Sequence, residues 1–170
     1  DRQPSDSDLQ PIMTTFGAIR LLVQPLAGNR RVEMLLAPGI SPHSYSPKPS
    51  DIRNVRESLL LVYAHAEVDG WTSSMTNGAR VALFGTNESE KNDSGVTTSH
   101  EHNDDPHFWT DPVAARTAVR VLSDTLCTLD PSRCAATRRQ ATTFSARIDS
   151  VQSQIQKHFS ATDVDCVITA

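Results

Sequence analysis

Leu59-Leu60-Leu61-Val62 is an unbroken apolar run in a chain of 170 residues. A continuous run of this length reads as a strand buried on both faces, the pattern of a parallel sheet. Upstream, residues 11–16 are short, apolar and β-branched, and read as a first strand. Residues 18–26 follow with helical spacing, and Gly28 stops them. Residues 32–36 read as a second strand. A proline-dense loop over 37–50 comes next, and Ser50-Asp51 can cap a short helix through Val55. Downstream, 67–77 reads as a helix with Gly78 at its end, and 80–84 as a fourth strand. Strands alternating with helices imply βαβ units, hence an α/β lobe built on a parallel sheet. Ligands of such sheets bind beyond the carboxyl ends of the strands. His43 and His107 both lie in loops that follow strands.

The second half of the chain is helical. Asp111-Pro112 opens a helix with proline in its first turn. Ala115, Val119, Leu122 and Leu126 carry its apolar face. Asp130-Pro131 opens another, along which Ala141, Phe144, Ile148, Val151, Ile155 and Phe159 keep three/four spacing. A helix over 132–159 would be about 42 Å long at 1.5 Å per residue, the length of a strut. Residues 164–169 read as a last strand with no sheet to join. The predicted organisation is therefore a lobe over 1–130, a long linking helix over 131–160, and the first strand of a truncated second lobe over 161–170.

Charge and composition narrow the function. Sixteen Lys and Arg stand against twenty Asp and Glu, a formal net charge of −4. No basic stripe is present to release counterions from phosphates, so a nucleic-acid partner is not expected. No apolar run approaches the ~18 residues of a membrane span. The acidic start, Asp1 to Asp8, reads as a frayed mature terminus from which any export signal has gone. Cys127 and Cys134 flank the Asp130-Pro131 turn. In an oxidising compartment that turn brings them within disulfide reach; otherwise they are ordinary thiols. Cys166 is left over, which points to a partner in another chain or in a missing part of this one.

The chemistry concentrates in Ser99-His-Glu-His-Asn-Asp-Asp-Pro-His-Phe-Trp-Thr-Asp-Pro112, where three histidines and four carboxylates fall within fourteen residues. Imidazole and carboxylate are the ligands of borderline divalent metals. Pro106 restricts the backbone beside His107, and Trp109 supplies an apolar anchor. His100 and His102 lie upstream in an acidic arm with seven carboxylates against one lysine between Thr86 and Asp111. That arm can attract cations by its field. The bland alternative is a solvated acidic loop.

Several ordered motifs resemble those of the cluster A-I (cluster 9) substrate-binding proteins of bacterial ABC transporters for zinc and manganese. They are Thr14-Thr-Phe16, Pro38-Gly-Ile-Ser-Pro-His-Ser-Tyr45 with Pro49-Ser-Asp-Ile52, Asp69-Gly-Trp71, and His102-Asn-Asp-Asp-Pro-His-Phe-Trp-Thr-Asp-Pro112. The resemblance implies two α/β lobes joined by one long helix, with the metal between them. It implies His43 and His107 as the N-terminal ligands and places the remaining ligands downstream of residue 170. It also implies a periplasmic or membrane-anchored extracytoplasmic protein that delivers its ion to an ABC permease. Asp104 and Asp105 become candidates for hydrogen bonds to the ligating histidines. His100 and His102 become an auxiliary site in a short collecting loop. His65, in Ala64-His-Ala-Glu67 where the family commonly has an Asn-Gly turn, is a candidate extra ligand or a tolerated polar residue. Histidine suits zinc, and the Ser-Pro-His form and acidic arm favour zinc over manganese.

Two other classes compete. A metallohydrolase needs an open metal position with a general base beside it, for which Glu101 or Asp105 could be nominated. A structural or adhesion protein would use the long amphipathic helix to self-associate. Replacing both His100 and His102 with alanine is expected to leave the tight site unchanged. It should lower zinc stoichiometry or capture rate, read by metal titration and stopped-flow.

Overall fold

A computed structural model of the chain describes residues 9–75, 78–85 and 107–160. Four parallel strands form one sheet in the order β2-β1-β3-β4. They are β1 (Ile12–Thr14), β2 (Val32–Met34), β3 (Leu60–Tyr63) and β4 (Arg80–Ala82). Ile12 pairs with Val32 on one side and Leu60 on the other, and Leu61 pairs with Arg80. Backbone hydrogen bonds continue past the strands, from Leu36 N–H to Thr15 and from Phe84 N–H to Ala64. This accounts for the longer apolar runs in the sequence. The Leu59–Val62 run becomes the central strand β3, in which Leu60, Leu61 and Val62 have no exposed surface.

Side chains alternate between two cores, as the period-2 pleat requires. Ile12, Leu60 and Val62 join Ile19, Val23, Leu26, Ala118 and Leu122 on one face. Met13 and Leu61 join Val55 and Met75 on the other. Helix α1 (Gly17–Val23) ends in a 3₁₀ turn, Gln24–Leu26, where Pro25 lacks the N–H that an α-helix would use. Helix α2 spans Pro49–Arg56, one residue ahead of the expected start. Asp51 sits in its first turn and accepts from the Lys48 N–H at 2.7 Å. Helix α3 is only Ala66–Asp69, and a 3₁₀ stretch, Gly70–Ser74, follows it where a single helix over 67–77 was expected; residues 76–77 lie outside the described residues.

Asp111 caps helix α4 (Pro112–Leu129) by accepting from the Val113 N–H at 2.8 Å. A 3₁₀ turn, Pro131–Arg133, leads into α5 (Cys134–Ser160), 27 residues and about 40 Å of helix. Ala141 is buried, and Phe144 and Ile148 are partly buried against the core, whereas Val151, Ile155 and Phe159 are exposed. Cys127 and Cys134 form the expected disulfide across the α4–α5 corner. Arg30 bonds Asp130 at the same corner, and Arg116 on α4 pairs with Asp149 on α5. The Ser132 hydroxyl first, then Arg30 and Arg133, hold the Asp130 carboxyl below its ordinary range against the opposing effect of burial. Among the described residues no helix is long and apolar enough to cross a membrane. The acidic arm with His100, His102, Asp104 and Asp105, the 164–169 strand and Cys166 all lie outside the described residues.

The disulfide joins residues seven apart, and closing so short a loop constrains the unfolded chain by about 2–3 kcal/mol. The C127A/C134A variant is expected to lose stability of that order in urea denaturation, and reductant should destabilise the native chain but not the variant.

Candidate metal centre

The polar groups of interest gather at the carboxyl edge of the sheet. The order β2-β1-β3-β4 means that the chain leaves β1 in one direction and β3 in the other. The crevice between those two strand ends is where open α/β sheets bind ligands.

His43 sits in a 3₁₀ turn, Pro42–Ser44, in the loop after β2. Pro42 presets the first dihedral of that turn. The turn is held from outside by an aromatic pair. Trp71 Nε1–H donates to the Pro42 carbonyl at 2.8 Å, and the Tyr45 ring rests on Trp71 with centroids 5.0 Å apart. The Tyr45 hydroxyl donates to Asp51 at 2.6 Å. That bond, with burial and the Asp51 charge, pushes the phenol up to about 12. The His43 ring stays exposed, and its Nδ1 lies 3.3 Å from the Glu67 carbonyl. A carbonyl only accepts, so this contact requires a proton on Nδ1, and in the neutral ring that leaves Nε2 as the nitrogen able to bind a metal.

His107 precedes a 3₁₀ turn, Phe108–Thr110, that leads into α4. Its carbonyl accepts from the Thr110 N–H and hydroxyl at 3.1 and 3.0 Å. Phe108 is buried and stacks on Phe84 at 5.3 Å, and Trp109 meets Phe16 edge-on at 5.0 Å. The His107 ring meets Trp109 edge-on at 5.3 Å. The two histidines, 64 residues apart in sequence, arrive with ring centroids 5.9 Å apart and planes inclined by 60°. Among the described residues no group of three or more His, Cys, Asp or Glu side chains is placed to hold a metal ion.

His65 follows β3 and caps α3, its Nδ1 accepting from the Glu67 N–H at 3.2 Å. Its ring lies against Phe84 and covers Gly85, where φ is +73° and a Cβ would come within 2.5 Å of the imidazole. Its first nitrogen thus serves the backbone. Beneath it, the Asp69 carboxylate has no exposed surface and accepts from Thr15, Ala64 and His65. Burial pushes this carboxyl up, against the downward pull of those donors. The support given by Asp69, Thr15 and Tyr45 is absent from the sequence-based site. The signals for it were three of the family motifs, Thr14-Thr-Phe16, the one that ends in Tyr45, and Asp69-Gly-Trp71.

The chain belongs to the family described as the periplasmic zinc-uptake complex component A, whose model matches residues 12–170. It is 25% identical over 141 residues to the high-affinity zinc uptake system protein ZnuA of Bacillus subtilis, a match covering 75% of this chain and 44% of that one. Zn(II)-bound AdcA of Streptococcus pneumoniae has the same fold, with a TM-score of 0.70 at 22% identity, over 86% of this chain and 32% of AdcA. A Mn-bound periplasmic metal-binding protein from Candidatus Liberibacter asiaticus gives a TM-score of 0.71 at 17% identity, over 91% of this chain and 58% of that one. The chain spans about half the length of the curated relatives it matches.

Trp71→Phe keeps a six-membered aromatic ring at this position but removes the pyrrole ring and with it the Nε1–H that holds the Pro42 carbonyl. It is expected to lower stability by about 0.5–1.5 kcal/mol in urea denaturation and to broaden the His43 ring resonances in NMR spectra.

Proposed function

We propose that this chain is the capturing part of an extracytoplasmic solute-binding protein that takes up a divalent transition metal, zinc ahead of manganese, and passes it to an ABC permease. His43 and His107 are the ligands it contributes. The observation that carries this reading is their meeting at 5.9 Å from two independently braced loops. A Zn–N bond of ~2.0–2.1 Å puts each ring centroid about 3.2 Å from the ion, so two rings at the tetrahedral angle stand about 5.2 Å apart. The observed spacing is within about 1 Å of that requirement.

Two imidazoles fill half of a tetrahedral sphere. In this reading the other ligands come from outside the described residues, and the long helix 131–160 links the lobe over 1–130 to a second lobe that begins at 161–170. Family membership and the zinc in the names of the relatives support zinc. The manganese-bound neighbour keeps manganese as the second cargo. No observation favours the metallohydrolase or the self-associating structural protein.

Chelator competition with zinc and manganese tests the assignment. His43→Ala and His107→Ala should each weaken zinc binding by more than the roughly 10–100-fold typical of changes behind the ligands. Affinity unchanged in both variants would place the metal elsewhere.

A further inference from the structure

The structure assigns to Asp69 the role of a positioning residue for metal capture: its buried carboxylate fixes the turn after β3 so that the Glu67 carbonyl holds His43 in the ligating tautomer. This inference rests on His43 being a ligand, and it names what orients that ligand.

The geometry runs in one connected path. Thr15 follows β1, and Asp69 lies shortly after β3, so their bond spans the crevice between the two central strands. The Thr15 hydroxyl donates to Asp69 Oδ2 at 2.7 Å. The Ala64 N–H donates to Oδ2 at 2.9 Å and Oδ1 at 3.1 Å, and the His65 N–H to Oδ1 at 3.0 Å. Both oxygens are therefore committed to the first two residues after β3. The α-helical bond from the Asp69 N–H to the His65 carbonyl, at 3.0 Å, closes the loop on itself. Glu67 lies inside that closed loop, and its carbonyl accepts from His43 Nδ1 at 3.3 Å. Four residues beyond Glu67, Trp71 grips the Pro42 carbonyl. One short segment thus touches the His43 turn at its backbone and at its ring.

Stability alone does not explain a carboxylate at this position. A buried charge must regain what it loses in leaving water, and well-packed apolar residues often do as well or better. An apolar side chain, however, could not accept two backbone N–H groups and a hydroxyl together. Asparagine weakens the lock: an Nδ2–H₂ in place of Oδ2 removes the 2.9 Å bond from the Ala64 N–H and reverses the Thr15 bond, leaving one oxygen to accept from both backbone N–H groups.

The test uses the whole chain labelled with ¹⁵N-histidine. In the metal-free protein, His43 should show Nδ1 protonated and Nε2 with its lone pair. Asp69→Asn, with its fold checked by circular dichroism, should give mixed His43 tautomers and a zinc affinity about 10–100-fold weaker by chelator competition. Thr15→Val removes a single donor at constant shape, and should shift both readouts in the same direction, by roughly 2–10-fold in affinity. A folded Asp69→Asn with His43 tautomer and zinc affinity unchanged overturns the inference. If Asp69→Asn does not fold, an unchanged Thr15→Val in both readouts overturns it equally. If His43→Ala leaves zinc affinity intact, the ligand assignment falls and the capture role of Asp69 with it, whereas a loss in His43→Ala beside an unchanged, folded Asp69→Asn overturns the positioning role alone.

Discussion

A carboxylate with no solvent-exposed surface sits between the carboxyl ends of the two central strands, and much of the local architecture follows from satisfying it. Moving such an ion out of water costs several kcal/mol even after relaxation, so every acceptor site must be used. Asp69 uses them on Thr15, Ala64 and His65, and the chain must fold back at once after β3 to allow this. That is why α3 is a single turn. The Asp69 carbonyl, which would otherwise continue the helix, accepts instead from the Thr72 hydroxyl at 2.9 Å. The backbone then continues as 3₁₀, and this brings Trp71 against the loop that carries His43.

The two histidines are held by different means that give the same physical result. His43 is exposed, yet its turn is fastened by one indole hydrogen bond, one aromatic contact and one carbonyl. His107 is exposed too, but the residues after it are anchored by a buried phenylalanine and a part-buried tryptophan. Ordering a side chain on binding costs about 0.5–1.5 kcal/mol, and a ring already held in place avoids most of that. Exposure of the rings and rigidity of their mountings together suit a site that must be reachable by an ion from solution and ready when it arrives.

Much of this was legible in the sequence because its signals are local. The Leu59–Val62 run carries β3 since only a strand covered on both faces tolerates it, and Leu60, Leu61 and Val62 are indeed wholly buried. Asp111-Pro112 and Asp130-Pro131 marked helix starts because the cap and the missing N–H act within one turn. The expected 67–77 helix failed because a non-local acceptor, the Asp69 carboxyl reaching back to Thr15, outweighed local helical spacing. Strand-end loops placed His43 and His107 on the ligand-binding edge, and the family motifs singled them out as a pair, since no periodicity relates two such loops. The Tyr45–Asp51 bond and the His65 cap depend on side-chain directions set by tertiary packing, which spacing does not encode.

Helix α5 shows the limit of periodicity most plainly. Ala141, Phe144, Ile148, Val151, Ile155 and Phe159 form one stripe at unchanged spacing. Burial stops partway along it: Ile148 still packs on the core, whereas Val151 is 53% exposed and Phe159 44%. Two fastenings of the helix, the disulfide at Cys134 and the Arg116–Asp149 pair, lie on the core side of Val151. Spacing therefore reports which residues share a face of a helix. What that face meets is decided by neighbouring elements, here by how far α4 and the 3₁₀ turn after α1 extend alongside it. Residue type and order nominate His43 and His107, but only the register of a parallel sheet, which puts both loops at one edge, brings their rings to 5.9 Å.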